Sequence, residues 1–394
     1  METDQLEGEA RALGVTSANW LDAPYNRLGF RRVANLVRTA TISRGPGPAH
    51  ELPRAEHDLG GLRFEHDGRS RDLTTMLEET YTDGFVVIQD GSIVYERYFN
   101  GMQPSETHLL MSVSKSVNAT LCGVLTGQGA LTPDDLVPDH VAELRGTAWD
   151  GCTVQHLLDM RAGVAWDFEL DEYTILDVSA YREHERTDIP ADTATWIRTI
   201  GASPPHGGSF VYNSLAHDVL GWVLERAGGA PLPELFSSCL WVPLGAEHDA
   251  QIMLDRSGFP IVEGGICATL RDLARFGLMW LQGGSLGGRQ IVPAAWTGRL
   301  LARDQELIDA YGGENELGGP TAEAFYHDNW WVWDAERGIH AAVGMNGQSV
   351  FVHHPSNTVI AKLSTFPDAL DTDRFALHHA GMAALCESLS AGRS

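Results

Sequence analysis

Ser112 and Lys115 are the residues whose types and spacing could do chemistry in this 394-residue chain. Of its 28 basic residues only two are lysines, Lys115 and Lys362. Lys115 stands three positions after Ser112, where an apolar helical pattern opens with Val117, Leu121, Val124 and Leu125. A serine and a lysine at i and i+3 share one helix face, about one turn apart. A neutral amine so placed can take the proton of the serine hydroxyl and make it a nucleophile. Burial would supply the neutral amine, because it penalises the charged ammonium and depresses the lysine pKa. The same spacing is common on solvated helix surfaces, so the pair acquires meaning only from the rest of the chain.

The elements around it are readable. Asp72 caps a short helix running toward Asp83-Gly84. A hairpin follows, Phe85 to Gln89 and Ser92 to Tyr98, around Asp90-Gly91. The helix opening near Ser112 closes at Gly127 and Gly129. From about 135 to 260 the pattern is helical and loop-rich: 153–160, then an acidic loop over 165–190, then 213–226. Thr269-x-x-Asp272 is a capping box that opens another helix. After residue 325 the pattern turns to strands, at 329–334, 339–345, 349–353 and 359–364, and a last helix covers 372–390. Residues 1–60 read as a poorly patterned leader with an extended Gly45-Pro46-Gly47-Pro48 stretch. Strands toward both ends and a helical middle predict an α+β fold. Residues 1–134 and 265–394 form a subdomain around one antiparallel sheet. Residues 135–264 form a mostly helical subdomain, the other wall of a cleft.

Composition narrows the function. A net charge of -25 disfavours nucleic acid and anionic membrane surfaces as partners. No apolar run reaches membrane-spanning length, and the acidic N-terminus shows no secretory signal, so a cytoplasmic protein is expected. Cys122, Cys152, Cys239, Cys267 and Cys386 are odd in number and unpaired in spacing, and read as reduced core cysteines. Gly283-Gly284-Ser285-Leu286-Gly287 fits G-x-S-x-G, but that elbow needs a strand before it and a helix after it. Here a helix precedes, so the motif reads as a loop. His353-His354 and His378-His379 make no chelate, since adjacent residues on a strand point to opposite sides. Lys362 lies in an apolar strand and reads as structural. No cofactor and no metal are expected.

Five blocks in order give the pair its context. Leu109–Ser116, Thr153–Met160, Gly208–Ser214, Gly264–Arg275 and Gly347-Gln348 with the apolar strand after it resemble the serine β-lactamase/D-alanyl-D-alanine-peptidase superfamily over roughly residues 70–370. Within it the chain is most similar to the 6-aminohexanoate-dimer (nylon-oligomer) hydrolases and related carboxylesterases. The resemblance implies a class C β-lactamase-like fold. It implies Ser112 as nucleophile, Lys115 as general base and Tyr212 as the residue relaying the proton to the leaving group. It implies an oxyanion hole from the backbone N–H groups of Ser112 and Met345 on an edge strand.

The chain departs from the lactamase pattern at that strand. Where those enzymes carry Lys-Thr-Gly to bind a substrate carboxylate, Ala342-Val343-Gly344 stands here, so penicillins and peptidoglycan termini lose their anchor. The expected substrate is a small linear amide or ester, opened through an acyl-enzyme. The alternatives are a carboxylesterase on short acyl esters with little amidase activity, or a catalytically silent binding protein. Relatives include homodimers. Trp331 of the Trp330-Trp331 pair aligns with an acyl-pocket position, and Asn346 is placed beside it at the substrate. Asp177 in the acidic loop and Glu263 before Gly264-Gly265 are the carboxylates that could hold a substrate ammonium. The alternative is a solvated acidic face.

Overall fold

The structure is a computed structural model that describes residues 13–183, 186–203, 205–312 and 323–391. Its centre is a seven-stranded antiparallel sheet. In spatial order the strands are Phe325–His327, Trp330–Asp334, Ile339–Gly344, Gln348–His353, Thr358–Ser364, Thr82–Gln89 and Ser92–Tyr98. The chain thus builds the sheet from both its ends, as the strand pattern predicts. Asp90 and Gly91 make the hairpin turn with φ of 51° and 79°, values that favour an Asp-Gly pair.

Period-two alternation gives each sheet face its own helix. Helix Leu270–Leu281 lies on one face. It lies so close that a Cβ at Gly277 would sit 2.6 Å from Val359 and 2.8 Å from Val350. On the other face Phe351 packs against Trp333, whose ring lies 4.6 Å from His379 on helix Thr372–Ala391. Thr269 caps the first of these helices by accepting from the Asp272 N–H.

Helix Val113–Gly127 is buried on all sides from Val113 to Leu125, between the sheet and helix Ser214–Gly228. Most of its small polar residues find partners, as burial of such a helix requires, although Asn118 Oδ1 and Thr126 Oγ1 have none. Ser114 Oγ accepts from Ile266 N at 3.1 Å, and Ser116 Oγ donates to the Asn329 carbonyl at 2.6 Å. Thr120 Oγ1 donates to the Ser116 carbonyl and accepts from Trp280 Nε1. Asn118 Nδ2 meets His217 Nε2 at 3.0 Å.

Several sequence expectations are corrected. The helix capped by Asp72 is Leu73–Glu79, and Thr82 already belongs to the hairpin. The acidic segment is helical over Phe168–Val178, with Asp167 as its cap. Ala250–Met253 is a strand inside the region read as helical. It pairs with Thr39–Ile42 and Ile266–Ala268 in a second sheet that also holds His108–Leu109. Strands this short carry too little alternation to be seen in sequence. Residues 13–60 are therefore not all loose leader. Trp20 is buried and stacks on Tyr181 at 6.3 Å, and Thr39–Ile42 is a sheet member. Gly283–Gly287 holds half of a two-stranded ribbon, Ser285–Leu286 with Arg289–Gln290. The five cysteines are free, and only Cys239 is partly exposed.

Candidate active site

The second sheet positions Ser112. Strand His108–Leu109 pairs with Ile266–Ala268, and Leu110 N donates to the Ile266 carbonyl at 2.9 Å. The chain then turns through Met111, a non-glycine residue at φ 47°, an arrangement that costs backbone energy and persists where surroundings enforce it. Ser112 follows as the N-cap of helix Val113–Gly127, yet its side chain makes no capping bond. Its Oγ instead accepts from Lys115 Nζ at 2.9 Å. Lys115 Nζ also donates to the Glu263 carbonyl at 2.6 Å and lies 5.0 Å from the centre of the Tyr212 ring.

Tyr212 is held by aromatic contacts. Trp331 stacks on it at 6.0 Å with ring planes 10° apart, and Tyr326, Phe210 and Phe168 meet it edge-on or tilted. Alternation along strand Trp330–Asp334 sends Trp331 to this cluster, while Trp330 packs between Phe276 and Trp280 on the sheet's other side. The Tyr212 hydroxyl faces both Ser112 and Lys115. Burial and the Glu172 charge push its pKa up while Lys115 pulls it down, with a net upward direction. Tyr212 therefore rests as a phenol.

Lys115 corrects an expectation. Burial lowers its pKa, as predicted, but Tyr212, Glu263 and Glu172 around it outweigh burial, and the net direction is up. The carboxyls answer in kind. Glu172 is pushed up to about 7 by burial against the pull of Lys115 and Ser214. Glu263 and Asp218, buried together behind the lysine, are both raised, chiefly by burial. Two like charges in one dry site cannot both ionise freely.

Glu263 and Asp177 each have a cationic partner within the chain. The Glu263 carboxylate is buried 3.8 Å from Lys115 Nζ, beside the Tyr181 hydroxyl. Asp177 accepts from Arg186 Nη1 at 3.1 Å. Asn346 turns its Nδ2 inward to the Phe366 carbonyl at 2.8 Å, in a left-handed turn at φ 58°. Its amide is a brace for the loop after Gly344.

Met345 lies just past a strand, at the start of the turn Met345–Gly347, and that strand is not an edge. Ile339–Gly344 is flanked on both sides, but its register with Trp330–Asp334 runs only to Ala341 opposite Trp331. Ala342–Gly344 then pair with Gln348–Val350 alone. This free end abuts Ser112: a Cβ at Gly344 would lie 3.0 Å from Ser112 N and 2.7 Å from the Leu110 carbonyl oxygen. No cationic side chain stands at 342–344.

Sequence reading missed Glu172, Asp218, Tyr181 and Gly344 as neighbours of the pair. Glu172 had a signal. With Phe168, Ile175 and Leu176 it falls at i, i+4, i+7 and i+8, a carboxylate in the apolar stripe. Lys362 is buried, donating to the Thr80 carbonyl at 3.3 Å and to Ser364 Oγ. Among the described residues one cluster of metal-ligating groups occurs, Asp159, His327 and Asp328. Arg299 already holds both Asp328 oxygens.

A serine hydroxyl bonded to a buried lysine, at the head of a helix beside an antiparallel sheet, is how a serine hydrolase is built, and the chain is one. It belongs to the beta-lactamase family, whose model matches residues 73–381. It is 35% identical to 6-aminohexanoate-dimer hydrolase of Paenarthrobacter ureafaciens over 363 residues, 90% of this chain and 88% of that protein. A solved structure from Bacillus anthracis, described as a candidate 6-aminohexanoate-dimer hydrolase, superposes with a TM-score of 0.86 at 24% identity. That match covers 96% of this chain and 97% of the other. EstCE1, a hydrolase with promiscuous acyltransferase activity, matches at TM-score 0.58 and 19% identity, covering 78% of this chain and 98% of its own. Among the described residues no helix is long and apolar enough to cross a membrane.

Proposed function

We propose that the chain hydrolyses a small linear amide or ester through an acyl-enzyme on Ser112. The observation that carries this reading is the 2.9 Å hydrogen bond between Lys115 Nζ and Ser112 Oγ beside the Tyr212 hydroxyl. Ser112 Oγ attacks the carbonyl carbon as its proton passes to neutral Lys115. The carbonyl oxygen becomes an oxyanion, received by the backbone N–H groups of Ser112 and Met345. Lys115 returns that proton through the Tyr212 hydroxyl to the departing amine or alcohol as the carbonyl carbon's bond to it breaks. Water then attacks the acyl carbon, releasing the acid and restoring the Ser112 hydroxyl. Support for the oxyanion hole is the approach of Gly344 to Ser112 N. Support for a linear substrate is the absence of a cation at 342–344 and the likeness to a protein named for hydrolysing a linear amide dimer.

The test is a substrate panel of p-nitrophenyl esters, aminohexanoate dimer and nitrocefin, with Ser112→Ala alongside. Turnover of an ester or the dimer, lost in the variant and absent on nitrocefin, is the expected result. Fast nitrocefin cleavage would overturn the linear-substrate reading.

A further inference from the structure

Helix Phe168–Val178 grips the segment bearing Tyr212 at two points one turn apart. Phe168 meets the Tyr212 ring edge-on at 6.1 Å. Glu172, 7% exposed, accepts from Ser214 N at 2.9 Å on one oxygen and from Ser214 Oγ at 2.7 Å on the other. Ser214 is the first residue of helix Ser214–Gly228, two positions after Tyr212, and Asn213 between them caps that helix through Ala216 N. Both lone-pair faces of one buried carboxylate therefore fix the point where the Tyr212 loop becomes helix, and the helix N-terminus favours a negative charge there. Bonds from donors to a buried charge are among the strong ones, and loosening them by a fraction of an ångström misplaces what they hold.

We propose that Glu172 is a positioning residue for the reaction. Its carboxylate sets Tyr212 against Ser112 and places a negative charge beside Lys115. This rests on the roles proposed above for Ser112, Lys115 and Tyr212. The groups that face Glu172 are Lys115, Glu263, Tyr212 and Tyr326, with the Ser214 N–H and hydroxyl. Their balance holds Glu172 at about 7, so it takes up a proton in the working range. A protonated carboxyl keeps one acceptor arrangement less and loses the charge.

The experiment compares wild type with Glu172→Gln, Ser214→Ala and Ser112→Ala on a p-nitrophenyl ester from mildly acidic to mildly alkaline pH. Glu172→Gln should lower kcat about tenfold or more with KM changed by less than about threefold, the pattern of a group that acts in the transition state. In wild type, log kcat/KM should fall with slope one as Lys115 takes up protons and steepen below about pH 7 as Glu172 joins it. The glutamine variant should show no steepening, while Ser214→Ala, which keeps the charge, should lower kcat and retain it. A purely structural role would lower thermal stability and leave the shape of the profile unchanged. A Glu172→Gln enzyme with wild-type kcat and profile overturns the proposal. If that variant does not fold, an unchanged kcat in Ser214→Ala overturns it. Hydrolysis surviving in Ser112→Ala would instead sink the nucleophile assignment on which it rests.

Discussion

The Glu263 carbonyl oxygen accepts a 2.6 Å hydrogen bond from Lys115 Nζ. Residue 263 thus fixes the lysine through its backbone, while its carboxylate lies behind, 3.8 Å from the same nitrogen. A backbone acceptor does not change charge, so it aims the amine whether or not the lysine is protonated. Tyr212 and Ser112 then meet an amine whose direction is set from the rear.

Covalent labelling reads out the nucleophile. A fluorophosphonate should add to Ser112, and Ser112→Ala should abolish turnover. Mass-spectrometric mapping of the adduct to Ser285, in the ribbon after Gly284, would reverse the assignment.

Lys115 should control the alkaline limb. Its neighbours hold its pKa above the ordinary value, so the neutral form is a minor fraction at neutral pH. The rate should keep climbing toward the normal lysine value of about 10.4 rather than level off well below it. Lys115→Arg should lose activity by about 100-fold or more, since a guanidinium stays charged at working pH. A plateau in kcat/KM near neutrality would show the amine already neutral there.

Legibility in the sequence tracked the length of the signal. The hairpin at Asp90-Gly91, the N-cap at Thr269 and the helix after Ser112 each carry a local pattern, and each is found within a few residues of its predicted place. Asp272, however, turns to Glu247 N and His248 N and does not close a capping box. Two- to four-residue strands such as His108–Leu109 and Ala250–Met253 exist only through pairing with distant partners. The Ser112–Lys115 geometry was legible because one helix carries both. The direction of the Lys115 pKa was not, because the groups that reverse it, Glu172, Glu263 and Tyr212, arrive from three separate segments.

Gly344 should tolerate no side chain. A Cβ there would meet the Leu110 carbonyl oxygen at 2.7 Å and Ser112 N at 3.0 Å, intruding where the oxyanion would be held. Gly344→Ala should lower kcat by about 100-fold, the cost of losing one oxyanion donor. Ser112 should still be reached slowly by the phosphonate. Wild-type kcat in that variant would place the oxyanion elsewhere.

His327 ties pH to stability. Burial alone would lower its pKa, but Asp328 and Asp159, the latter 2.8 Å away, push it up to about 9 from an ordinary 6.5. A group whose folded pKa is raised binds its proton more tightly in the native state. Its stabilisation is therefore complete below pH 6.5 and is lost as pH rises toward about 9. Calorimetric Tm should fall across that window in wild type, and His327→Gln should lack this part of the slope. An identical slope in the variant would assign the loss to other groups.

The choice of acyl group is the last test. Four of the five carboxylates from Asp167 to Asp177 have partners within the chain. Asp177 pairs with Arg186, Asp167 caps its own helix at Leu170 N, Asp171 accepts from Asp167 N, and Glu172 binds Ser214. Around Tyr212 the described walls are rings: Phe168, Phe210, Tyr326 and Trp331. An amino-terminated amide and its N-acetylated analogue should therefore be hydrolysed with kcat/KM values within about threefold, since an exposed ion pair contributes under about 1 kcal/mol. Trp331→Ala should slow both alike, because it removes the stacking partner of Tyr212. A preference for the free amine above about tenfold, erased in Asp177→Asn, would mean that Asp177 leaves Arg186 to bind substrate, since only a desolvated pair discriminates so strongly.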